Sequence, residues 1–222
     1  DVLDFEIDLF IGGGAKYFSK RTDGLQLVDS LLKKGFTVIH DYKSFDTNTN
    51  GKLAVLTADE HNPKVIDGRG DMLPYSTEKA IQILNKNENG FFLMVEGSQI
   101  DWAGHLNDIN YLTSELMDFD EAVGKALQFA IEDKETLVIV SGDHETGGLT
   151  ILDGDINSKI IKSNFSTKNH TPSIIPVFSF GPGSDNFTGI YENTDIFEKM
   201  LQALGIISRK ENHPNRKYLA PK

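Results

Sequence analysis

The sequence has 222 residues, 39% apolar and 25% charged, which is enough for one sizeable core and unlike a disordered, collagenous or low-complexity chain. Its 33 acidic against 22 basic residues give a net charge of −11, a poor endowment for general binding to nucleic acid or acidic membrane. With no cysteine, disulfides, thiolate metal sites and cysteine catalysis are excluded; no apolar run reaches the ~20 residues of a membrane helix.

Strand and helix patterns alternate along the chain. Phe5 to Ile11 alternates in part and ends at Gly12-Gly13-Gly14, the pattern of a strand and a turn. Leu25 to Lys34 places Leu27, Val28, Leu31 and Leu32 on a helical stripe, with Gly35 as its C-terminal cap. Phe36–Ile39 and Leu53–Leu56 are short strands. Ser76 to Lys86 is predicted helical, with Ser76 or Thr77 as N-cap. Phe91–Val95 is a continuous apolar run, expected as a buried central strand. The longest predicted helix covers Asp108 to Asp133, with Ile109, Leu112, Leu116, Phe119, Val123, Ala126, Leu127 and Ala130 on its apolar face. Thr136–Val140 and Ile174–Phe180 are further buried strands, and Thr194 or Asp195 caps a last helix ending near Gly205. Asp153–Asn169 is a polar excursion. This order predicts a three-layer α/β sandwich with a largely parallel central sheet over residues 1–207, followed by a basic surface tail over 208–222.

In open α/β sheets, functional groups collect at the carboxyl ends of strands. The run Phe91–Val95 leads into Glu96, followed by Asp101, Trp102 and His105. Asp101 and His105 are four apart, so on a helical turn they share a face and can chelate one ion. The strand at Thr136–Val140 leads into Asp143-His144, where Gly142, Gly147 and Gly148 allow the chain to turn. His170 precedes the strand at Ile174. Each motif alone is weak. Together they bring three of the six histidines to three strand edges, and without cysteine any transition-metal site must use His, Asp and Glu.

These residues carry a family resemblance. The stretches Gly90-Phe91-Phe92-Leu93-Met94-Val95-Glu96-Gly97-Ser98-Gln99-Ile100-Asp101, Gly142-Asp143-His144-Glu145-Thr146-Gly147-Gly148 and His170-Thr171 resemble the later half of an alkaline phosphatase. Leu9–Gly14 with Tyr17-Phe18, Pro176-Val177-Phe178 and Gly181-Pro182-Gly183 fit the same pattern. The resemblance implies an incomplete alkaline-phosphatase-like fold holding two zinc ions and one magnesium ion. Position by position, Asp101, His105 and His170 resemble ligands of the first zinc, Asp143 and His144 ligands of the second, and Glu96 a magnesium ligand. It implies phosphate monoester substrates, a homodimer, a periplasmic or secreted location, and no nucleic-acid or membrane partner. Trp102 stands where family members carry Lys or His close to the phosphate; simple packing is the other reading.

The family's serine nucleophile, in an Asp-Ser-Ala-Ala-Thr-like motif, has no match here. Asp29-Ser30 is the one Asp-Ser pair and lies on the amphipathic helix ahead of Leu31-Leu32. Ser98 and Ser141 lack the motif, and Arg69, in a Gly-rich loop, does not match the phosphate-binding arginine. The expectation is therefore a C-terminal portion of a phosphatase, inactive alone, whose parent works through a phosphoserine. Two alternatives stay open: another metal-dependent phosphodiesterase or sulfatase-like hydrolase of the superfamily, and a non-catalytic zinc-binding module. Asp46–Gly51 and Asp153–Asn157 begin like calcium loops but lack the required Glu and Gly respectively, so both are read as turns.

Overall fold

The computed structural model describes residues 6–44 and 51–207. The chain falls into two compact units, residues 1–128 with 144–173 and residues 129–143 with 174–222.

The first unit is built on a parallel sheet of β1 (Leu9–Gly12), β2 (Phe36–Ile39) and β3 (Lys52–Leu56), in the order β1-β3-β2. Leu9 lies opposite Leu53, and Phe36 opposite Lys52. The central strand is a continuous apolar run because both of its faces are covered. Ala54 packs with Leu31 and Phe36, and Phe10, Phe18 and Val38 close round them. Leu53 and Val55 point the other way, toward Tyr75 and Ile83. Helices α1 (Ala15–Ser19) and α2 (Leu27–Lys33) therefore cover one face and α3 (Met72–Leu84) the other, giving three layers. Full burial of a side chain such as Leu53 is worth about 1.5–3 kcal/mol.

Local signals set the element ends. The Gly35 N–H bonds the Leu32 carbonyl with φ of +84°, closing α2 as expected. At Gly12–Gly14 the N–H groups of Gly14 and Ala15 both donate to the Ala58 carbonyl at 3.0 Å. They are engaged in the turn and not turned outward to cradle a phosphate. The predicted start of α3 is corrected: the helix begins at Met72, and Ser76 and Thr77 are buried inside it, Thr77 Oγ1 donating to the Leu73 carbonyl. Pro74 is tolerated because it falls in the first turn, where no intrahelical N–H is needed.

A larger correction concerns residues 91–95. They alternate in exposure as an extended chain does, but they enter no sheet among the described residues, and Phe92 and Met94 are 65% and 76% exposed. A strand is defined by its ladder, and composition alone cannot supply a neighbour. The run leads into α4 (Gln99–Leu106), and Asn107, at φ +56°, turns the chain into α5 (Ile109–Asp133). Asp108 Oδ1 caps α5 by accepting from the N–H groups of Asn110 and Tyr111. The buried residues of α5 are Tyr111, Leu112, Glu115, Asp118, Ala122 and Ala130; Leu112 and Ala130 belong to the expected stripe, whereas Leu116 is exposed.

The first unit also holds β5 (Glu145–Thr146) paired antiparallel with β8 (His170–Thr171), and a hairpin of β6 (Thr150–Asp155) with β7 (Ile160–Asn164). The hairpin forms the excursion expected at Asp153–Asn169. Its turn is held by Asp155 Oδ1, which accepts from Asn157 and Ser158 N–H groups. In the second unit, β4 (Val138–Ser141) and β9 (Val177–Phe180) pair antiparallel, and α6 spans Asp195–Ala203. The predicted tail at 208–222 and most of the Asp46–Gly51 turn lie outside the described residues.

Candidate metal centre

Helix α4 presents Asp101 and His105 on one face, as their spacing requires. Asp101 Oδ2 lies 3.4 Å from His105 Nε2, and Asp101 Oδ1 lies 3.4 Å from His170 Nε2. The two Nε2 atoms are 3.2 Å apart. Tetrahedral zinc with bonds of about 2.0–2.1 Å places neighbouring ligand atoms about 3.3–3.4 Å apart. The two imidazole nitrogens stand at about that separation, while Asp101 faces His105 with one carboxylate oxygen and His170 with the other; as two imidazoles and a carboxylate the group suits zinc.

The tautomers are set to suit. His105 Nδ1 is 2.6 Å from the Lys168 carbonyl, so it carries the proton and leaves Nε2 free to ligate. Thr146 Oγ1 donates to Asp101 Oδ1 at 2.5 Å and stands 3.2 Å from His144 Nδ1, which fixes that ring in the same sense. His144 stacks on His170 with centroids 3.7 Å apart. Asp101, His144 and His170 each offer a ligand atom within 4.8 Å of the others.

The scaffold behind these residues is specific. β5 opposite β8 puts Thr146 level with His170. Helix α4 seats directly on β5 because Gly104 has no side chain: a Cβ there would lie 2.8 Å from the Thr146 carbonyl oxygen. Glu145 accepts from Thr171 Oγ1 and from the Gly148 and Leu149 N–H groups, tying the glycine turn to β8. Burial pushes the Glu145 carboxyl up, but these hydrogen bonds together with nearby His144 outweigh it and hold the group below the usual range. The start of α4 is held by a relay in which Tyr111 Oη donates to Gln99 Oε1 and Gln99 Nε2 to the Asn62 carbonyl. Burial, helped by the charge of Glu115, pushes the Tyr111 hydroxyl up to about 12, so it stays a proton donor.

Of the predicted site residues, Asp101, His105, His144 and His170 come together. Asp143 belongs to the second unit. Glu96 and Trp102 line a cavity beside the cluster, and the Trp102 ring meets His61 edge-on at 4.6 Å. Thr146, Gln99 and Tyr111 went unassigned in the sequence, although Thr146 lies inside a quoted motif. Arg69 also went unassigned: it is buried and its guanidinium bonds Glu115 at 2.6 Å and Asp118 at 2.7 Å.

A family model described as alkaline phosphatase matches residues 1–164. The chain belongs to the alkaline phosphatase family. Alkaline phosphatase 3 of Bacillus subtilis (strain 168) is 31% identical, over 90% of this chain and 58% of the relative. The solved alkaline phosphatase of the Antarctic bacterium TAB5 is 44% identical with a TM-score of 0.85, covering 91% of this chain and 62% of that one. A variant of the TAB5 enzyme with Mg bound in its M3 site matches at 44% identity and a TM-score of 0.83, over 92% and 62% of the two chains. The fold is thus an incomplete alkaline-phosphatase-like α/β fold, and the chain spans about three fifths of the length of these relatives. No helix among the described residues is long and apolar enough to cross a membrane.

Proposed function

We propose that this chain is the metal-binding portion of a phosphate monoester hydrolase, residues 1–207 forming the C-terminal part of its catalytic α/β domain. The observation that carries the reading is the clustering of Asp101 with His105, His144 and His170, of which Asp101, His144 and His170 each offer a ligand atom within 4.8 Å of the others. Asp101, His105 and His170 would hold one zinc and leave its fourth position for water or a phosphate oxygen. His144 and Asp143 would serve a second zinc, and Glu96 a magnesium ion. Bound there, the metals would supply positive charge to the oxygens of a phosphoryl group in transfer. The chain's own residues do the preparatory work. His105 keeps its Nδ1 proton on Lys168, Thr146 holds the Asp101 carboxylate toward the rings, and Trp102 flanks the site where phosphate would lie.

The parent would transfer the phosphoryl group to a serine outside this chain and then to water. It would act as a homodimer in the periplasm or outside the cell. The test is hydrolysis of a simple aryl phosphate monoester and the matching diester by the full-length parent. A clear preference for the monoester is expected, abolished by chelation, restored by zinc with magnesium, and lost in His170→Ala. Preference for the diester, or activity indifferent to chelation, would overturn it.

A further inference from the structure

His61 takes no part in the metal cluster, yet its ring lies edge-on to Trp102, with centroids 4.6 Å apart and planes at 88°. Two aromatic rings favour that arrangement. Trp102 has need of it. The residue follows Asp101 on α4 and is 39% exposed, and a half-exposed indole ordinarily samples more than one staggered rotamer. Both rings line a cavity of about 540 Å³ that Glu96 also lines.

The loop that carries His61 is held on two sides. On one, a Cβ on Gly13 would lie 2.1 Å from the Glu60 carbonyl oxygen, so the loop rests directly on the turn after β1. The Ala58 and Asp59 carbonyls accept N–H groups from that turn and from Lys16 at 3.0 Å, and the Lys16 ammonium pairs with Glu60. On the other side, Gln99 Nε2 of α4 donates to the Asn62 carbonyl at 2.8 Å, while Thr57 Oγ1 donates to Asn62 Oδ1 at 2.7 Å. His61 is thus fixed to the helix that carries Trp102, one residue from the anchor. Its ring is exposed, so the mount does not serve to fill a core.

We propose that His61 is a positioning residue for phosphate binding that acts through Trp102. It holds the indole on the phosphate side of the metal cluster, where the ring keeps water from that face. Excluding water lowers the local dielectric and strengthens the attraction between metal ions and phosphate. Without His61 the indole moves between rotamers, water enters, and phosphate is held less tightly. This rests on the reading of the site as a phosphatase centre in which Trp102 flanks the phosphate.

The test is the kinetics of the metal-loaded full-length parent on an aryl phosphate, together with inhibition by inorganic phosphate. His61→Ala is expected to raise KM and the phosphate inhibition constant together by about three- to tenfold, the range one edge-on aromatic contact supplies, with kcat changed less than about twofold. His61→Phe keeps an aromatic edge and is expected to restore both constants. In a Trp102→Ala background the His61→Ala change is expected to be silent, because its target is gone. Fluorotryptophan incorporated into the parent gives a second readout. The fluorine resonance of Trp102, assigned by its loss in Trp102→Phe, is expected to broaden or shift toward the free-indole position in His61→Ala. Should that variant fail to fold, His61→Gln takes its place. Unchanged constants, a loss confined to kcat, or an effect of equal size without Trp102 would overturn the proposal; the last would mean that His61 meets the phosphate itself. Failure of the phosphatase reading would show separately, as a parent that hydrolyses no monoester although its fluorine resonance still responds to His61.

Discussion

Arg69 holds one positive charge between two buried carboxylates, Glu115 and Asp118, while Glu115 also accepts the Val65 N–H at 2.9 Å. Removing the arginine leaves two acids with no counter-ion in a dry setting. Arg69→Met is expected to destabilise the chain by about 3–5 kcal/mol, read from urea unfolding. Asp118 behaves differently. Burial, only partly offset by Arg69, pushes its carboxyl above the usual range. A raised carboxyl contributes stability below its unfolded value, near 3.8, and loses it as pH rises through the folded value. Asp118→Asn cannot ionise, so its melting temperature relative to the parent sequence is expected to increase from pH 4 to pH 7; a difference that falls or stays flat would contradict this. The sequence placed Arg69 in a glycine-rich loop and no more. On α5 the expected apolar stripe ran through Leu112, Leu116 and Phe119, so Glu115 and Asp118 gave no sign in the sequence that they are buried. Acids in that position need a partner, but the sequence does not say which cation comes 46 residues from Glu115 to meet them.

At the scale of elements, the metal cluster depends on how closely α4 approaches β5. A glycine in a helix interior ordinarily gains up to about 1 kcal/mol on replacement by alanine. At Gly104 the sign reverses, because the new methyl would meet the Thr146 backbone. Gly104→Ala is expected to cost about 1–3 kcal/mol and to weaken zinc binding, since Thr146 and Asp101 would part. Tyr111→Phe leaves the buried Gln99 Oε1 without a donor and is expected to cost about 1–3 kcal/mol in thermal or urea unfolding. The elements themselves were legible where local signals and burial agree: β2 and β3 from short apolar runs, α2 from its stripe and Gly35, the Asp101–His105 pair from helical spacing. They were illegible where a partner decides. Phe91–Val95 reads as a strand and is extended, but no described strand lies beside it. The pairing of β5 with β8, which brings His144 onto His170, rests on two residues each and has no periodicity to read.

For the whole molecule, folding and metal binding are linked. Bare, the site holds three imidazoles and a carboxylate within a few ångströms; an ion that binds only the folded chain stabilises it, by about 2.7 kcal/mol at one hundred times Kd. Zinc is therefore expected to raise the melting temperature of this chain, and the rise should vanish in His170→Ala. The most direct test of the central claim is a zinc titration of the folded chain by calorimetry, with His105→Ala beside it. One tight zinc per chain is expected, weakened about tenfold or more in the variant. A folded chain that binds no zinc, or binds it equally well without His105, would contradict the assignment of Asp101, His105 and His170 as a metal site.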